Sequence, residues 1–124
     1  MKKLVETVME NRSTGEFFLF RRSCGNCGLE YGNNPVRFSK ASDPPNTPNK
    51  QILYSALYEQ EFRDARHAAI RTASEHMNYC PICKRLVCNQ CFMICEDLDM
   101  CSQCAAALEQ HGQPVSHQTV DTAV

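Results

Sequence analysis

Eight of the nine cysteines in this 124-residue chain fall into four Cys-x-x-Cys pairs: Cys24/Cys27, Cys80/Cys83, Cys88/Cys91 and Cys101/Cys104. A thiolate can act as nucleophile, redox group or soft metal ligand. The two-residue gap suits the last role, because both sulfurs of a tight knuckle can face one ion about 2.3 Å away while backbone N–H groups point at sulfur. One such pair would serve equally well as a redox dithiol. Four pairs supply eight thiolates, the full ligand set of two tetrahedral Zn2+ ions. Two structural zinc ions are therefore the expected cofactors.

Three of the pairs, and the unpaired Cys95, crowd into residues 79–104 (YCPICKRLVCNQCFMICEDLDMCSQC). Disulfides are the competing staple. The segment MKKLVETVMENRS has no apolar stretch of signal-peptide length, and nowhere do about 18 apolar residues run together as a membrane span requires. A cytoplasmic location is expected, where thiols stay reduced and paired cysteines serve as ligands. Apolar residues make up 43% of the chain, but cysteines are in that count and Trp is absent. The expected core is thin, with metal as its main staple. Eight thiolates and two divalent ions would take the formal charge from −1 to −5, a balance that disfavours non-specific contact with nucleic acid or anionic membrane.

The elements that must position these sulfurs follow from local pattern. Residues 1–40 read as a β-hairpin with a zinc knuckle. Within them 1–13 has both helical spacing (Leu4, Val5, Val8, Met9) and β-branched content, and a hairpin arm is favoured; NRSTG is the turn and FFLFRR the strand. Gly25 and Gly28 accompany the first pair, where a small residue permits the left-handed backbone of a knuckle. Residues 41–47 form a Pro-rich connector. Thr47 as N-cap and Pro48 at the first position then start a helix over 48–77, about 44 Å long. Its stripe of Tyr54, Tyr58, Phe62, Ala65, Ala69 and Ala73 narrows toward the zinc module, against which the alanine end is expected to lie. Residues 78–110 form that module, with a strand around 84–87 and a short helix at 105–110. The expected whole is a small, metal-stabilised α+β domain over residues 1–110, followed by a disordered tail over 111–124.

The four pairs can share two ions in two ways. The sequential arrangement joins Cys80/Cys83 with Cys88/Cys91 and Cys24/Cys27 with Cys101/Cys104. The crossed one joins Cys24, Cys27, Cys88 and Cys91 as one site and Cys80, Cys83, Cys101 and Cys104 as the other. Five strand steps from Cys83 to Cys88 span roughly 16 Å, which favours the crossed arrangement and leaves the sequential one open. The run C-x2-C-x4-C-x2-C followed by C-x2-C resembles cross-brace zinc modules of the FYVE and RING kind, built from treble clefs or double zinc ribbons. That resemblance covers about 30 residues plus Cys24/Cys27 and implies the crossed ligand set, with a short helix after the last knuckle. The basic, histidine-rich lipid motif of FYVE fingers is replaced here by EHMNY, and the RING histidine ligand is unmatched, so neither lipid binding nor ubiquitin transfer carries over.

Two four-cysteine sites are closed, whereas catalytic zinc keeps a position for water. His67, His76, His111 and His117 are read as surface residues, Cys95 as a buried small hydrophobe, and no catalytic residue is expected. The expected function is that of a non-catalytic adaptor binding a protein partner or a second copy of itself, with no membrane role. The alternative is a regulatory zinc-ribbon protein that binds nucleic acid through Arg21, Arg22, Arg63, Arg66, Arg71, Lys84 and Arg85.

Overall fold

A computed structural model describes residues 2–115, with Lys2 and Lys3 described by backbone alone. It is a small α+β structure with one long helix and several short antiparallel sheets. The described residues divide into two compact units, 2–22 with 31–73 and 23–30 with 74–115.

The first unit begins with α1 (Lys2–Val8), where the sequence reading favoured a hairpin arm. The 3.6-residue spacing of Leu4, Val5 and Val8 prevails over the β-branching of the two valines, because helix formation puts Val5 at 0% exposure. The hairpin starts only at β1 (Glu10–Asn11), which pairs with β3 (Phe20–Ser23) in the register Asn11↔Phe20. Between them Asn11 Oδ1 accepts from Ser13 N at 2.9 Å and Thr14 Oγ1 from Phe17 N at 3.0 Å, the local side-chain turns that such residues favour. Strand β2 (Phe17–Phe18) pairs with β5 (Val36–Arg37), and β3 also flanks β4 (Glu30–Gly32).

Alternation sends Phe18 and Phe20 to one face, at 0% and 2% exposure. They join Phe38, Ala65 and Ala69 in the core, with Tyr54, Tyr58 and Phe62 packed against it. Phe18 meets the rings of Tyr58 and Phe62 edge-on at 5.0 and 6.0 Å, and Phe38 meets Tyr54 at 5.1 Å. The expectation of a thin core held mainly by metal is thus wrong for this unit, which is closed by aromatic packing. The alanines Ala65 and Ala69 are small because phenylalanines fill the space beside them. Buried Asn33 is satisfied, accepting from Phe20 N at 2.8 Å and donating to Phe18 O at 3.1 Å.

Helix α2 (Pro48–His76) starts where Thr47 Oγ1 accepts from Lys50 N at 3.2 Å. Its last turn, 74–76, belongs to the second unit. There β6 (Met77–Tyr79) pairs with β7 (Leu86–Cys88), and β8 (Phe92–Cys95) pairs with β9 (Met100–Cys101). Helix α3 (Ser102–Ala107) starts three residues earlier than expected, because the Cys101 sulfur itself caps it, accepting from Cys104 N. The chain then returns as β10 (Gly112–Pro114) on the free edge of β8. Residues 112–114 are therefore not part of a disordered tail; the rest of that expectation, 116–124, lies outside the described residues. A Cβ on Gly112 would stand 2.3 Å from Ile94 O, so the close approach of these strands needs glycine.

Candidate metal centres

Two of the four pairs are built alike. In residues 24–29 the backbone closes with Gly28 N donating to Cys24 O at 3.1 Å and Cys24 N to Leu29 O at 2.8 Å. In residues 80–85 Lys84 N donates to Cys80 O at 2.8 Å and Cys80 N to Arg85 O at 2.9 Å. The residue after each second cysteine lies in the left-handed region, Gly28 at φ 81° and Lys84 at φ 65°. Glycine adopts this without penalty and lysine does not, which is why the strand expected from Lys84 begins only at Leu86. Gly25 has a different part: a Cβ there would lie 3.0 Å from Leu86 O and 3.3 Å from Arg85 Cβ, so it serves close approach.

The remaining two pairs lie at the ends of secondary structure. Cys88 ends β7 and Cys91 turns back on it, donating N–H to Cys88 O at 3.0 Å, while Cys101 and Cys104 sit at the start of α3.

Tertiary folding gathers the eight sulfurs into two groups, Cys24, Cys27, Cys88 and Cys91 in one and Cys80, Cys83, Cys101 and Cys104 in the other; within each group all four Sγ atoms lie within 4.8 Å of one another. These are the sets named by the crossed arrangement. Cys27 Sγ is 3.7 Å from Cys88 Sγ, Cys83 Sγ 3.8 Å from Cys101 Sγ, and Cys80 Sγ 3.9 Å from Cys104 Sγ. A tetrahedron of sulfurs about 2.3 Å from a central ion has edges of about 3.8 Å, so either group could hold a metal ion. A disulfide would need sulfurs about 2.05 Å apart, and all nine cysteines are free thiols.

Both groups are prepared for thiolate by the same backbone device. Cys24 Sγ accepts from the N–H groups of Asn26 (3.3 Å), Cys27 (3.4 Å) and Cys88 (3.2 Å). Cys80 Sγ accepts from Cys101 N at 3.3 Å, and from Cys83 and Ile82. Burial opposes ionisation at Cys24, but the N–H groups of Cys27, Cys88 and Asn26 outweigh it and hold the thiol at about 6. Burial likewise works against Cys83, which the Arg85 guanidinium brings down to about 6. Four sulfurs this close cannot all ionise unaided. Burial and neighbouring sulfurs push Cys104 up to about 12 and Cys91 further still. A divalent cation at the centre would remove that conflict and let every sulfur bind as thiolate.

Sequence reasoning missed the part played by Arg85, which it grouped with residues for nucleic acid. Its Nε donates to Cys83 Sγ at 3.3 Å, one terminal nitrogen to Gly25 O at 2.6 Å, and the other to Gln103 Oε1 at 2.7 Å. Arg66 is likewise engaged, bonding Glu6 O at 3.3 Å and Glu6 Oε1 at 3.5 Å. Arg21 and Arg22 are half-buried on β3, and Arg63, Arg71 and Lys84 are exposed. Cys95 is half-buried on β8 rather than buried; its N–H donates to Asp99 Oδ1 at 3.0 Å. His67, His76 and His111 are exposed, and His117 lies outside the described residues. Among the described residues no helix is long and apolar enough to cross a membrane.

Comparison with protein families, with curated proteins and with solved structures finds no match for this chain.

Proposed function

We propose that each sulfur group holds one structural Zn2+, with alternate Cys-x-x-Cys pairs sharing an ion, and that the protein is a non-catalytic adaptor that binds another protein. The observation that carries this reading is the completeness of the two groups: each offers four sulfurs, leaving no ligand position for water or substrate. Four thiolates also suit zinc better than a hard cation. The zinc would fix residues 23–30 against 80–104.

A protein partner is favoured by the surface at the start of α2. Ile52 and Leu53 are 68% and 65% exposed there, next to an apolar groove of about 390 Å3 between Pro44, Pro45 and Leu57. The engagement of Arg66 and Arg85 within the protein counts against a nucleic-acid role.

Native mass spectrometry with elemental analysis should find two zinc ions per chain. Pull-down and gel filtration should find a protein partner, or a second copy, that is lost in Leu53→Asp. Tight nucleic-acid binding that weakens steeply with salt, unaffected by that substitution, would overturn the adaptor reading.

A further inference from the structure

We propose that Arg85 couples the two metal centres, so that an ion seated in one sulfur group raises the affinity of the other. The proposal rests on the two-zinc reading above. The guanidinium reaches both pairs of its own group, with Nε 3.3 Å from Cys83 Sγ and a terminal nitrogen 4.0 Å from Cys101 Sγ. That terminal nitrogen also donates to Gln103 Oε1 at 2.7 Å, within the Cys101/Cys104 turn. The remaining terminal nitrogen donates at 2.6 Å to Gly25 O, inside the knuckle of the other group. One rigid, planar side chain thus spans three of the four pairs.

Two further bonds tie the same parts together. Gly25 N donates to Leu86 O at 2.8 Å, and Asn26 Nδ2 to Ser102 Oγ at 2.7 Å. A Cβ on Gly25 would lie 3.0 Å from Leu86 O and 3.3 Å from Arg85 Cβ, so the knuckle packs tightly against the arginine.

The physical consequence is a shared ordering cost. Cys80, Cys83, Cys101 and Cys104 would each lose freedom when an ion binds among their sulfurs, and Arg85 is bonded to two of them. An ion there fixes Cys83 and Cys101, which fixes the guanidinium, which holds Gly25 and its knuckle where Cys24 and Cys27 meet Cys88 and Cys91. The second ion then finds its ligands already placed. Thermodynamic linkage makes the effect reciprocal, whichever group fills first. Arginine is required because its five donors lie in a fixed fork; a lysine ammonium supplies the charge but cannot span the gap.

The test is stepwise addition of Zn2+ to chelator-stripped protein, followed by native mass spectrometry. At one equivalent the wild type should divide between ion-free and two-ion species, with the one-ion species well below the roughly half expected of independent sites, because coupling of this kind typically amounts to about 5- to 150-fold in affinity. Arg85→Met should bring the one-ion species up to that level while still taking two ions at excess zinc. Arg85→Lys keeps the charge beside sulfur and should behave the same way, which preserves the test should Arg85→Met fail to fold. All-or-none loading that survives in the Lys variant overturns the proposal. So does a wild type that takes two ions one at a time, and that result leaves the two-zinc reading standing. A wild type that takes no ion removes both.

Discussion

Residues 2–22 and 31–73 bury three phenylalanine rings at 2% exposure or less, whereas residues 23–30 and 74–115 bury no aromatic ring and enclose five cysteine sulfurs instead. In the first unit edge-to-face rings and small helical alanines remove apolar area from water, the ordinary source of stability. In the second the buried apolar side chains are modest, chiefly Met77, Leu86, Val87 and Met100, and strands of two to four residues cannot stabilise themselves. Two small units in one chain thus reach order by different means. The first depends on packing, whereas the second gathers eight sulfurs into two groups, each of which could hold a cation.

On the two-zinc proposal, that contrast can be broken most decisively by removing the metal. Binding of structural zinc is worth about 10–16 kcal/mol in finger peptides, so chelation, or Cys88→Ser, should abolish hydrogen-exchange protection of residues 77–104 while residues 17–20 and 57–69 keep theirs. Equal loss in both units would show that a single staple holds the chain. The converse substitution, Phe18→Ala, should destabilise the first unit by about 3–5 kcal/mol in denaturant unfolding while two zinc ions are retained, since it empties the centre of the ring cluster.

Acid should separate the units more gently. Zinc needs thiolates, and Cys104, pushed up to about 12, must give up its proton to bind, as must Cys91, so affinity falls as pH falls. Below about 6 protons also claim Cys24 and Cys83, and the dependence steepens. Competition with a chromogenic chelator across this range measures it; an affinity flat in pH would contradict thiolate ligation. The smallest effect is expected from Thr47→Ala, about 1 kcal/mol in the unfolding of the first unit, because it removes only the cap of α2.

Much of the candidate site was legible because a Cys-x-x-Cys knuckle is a local object, specified by two cysteines and the turn between them. The 48–76 helix was legible for the same reason, with a proline start, a cap and no interruption over 29 residues. The misreadings fall where a distant partner decides. Residues 2–8 became a helix because Val5 found a burial site, and Gly112–Pro114 became a strand because β8 had a free edge. Arg85 looked like a surface cation until Cys83, Gly25 and Gln103 were brought around it.

By itself the sequence determined the chemistry available here: eight paired sulfurs, a capped helix, and alternating phenylalanines able to form a face. Only the tertiary structure decided which pair meets which, because sulfurs 61 residues apart, such as Cys27 and Cys88, come within 3.7 Å only after the intervening chain has folded. It also decided that the rings of Phe18, Phe20 and Phe38 would share one core. Local spacing fixes a turn at small entropic cost, whereas long-range contact depends on how every intervening residue is placed.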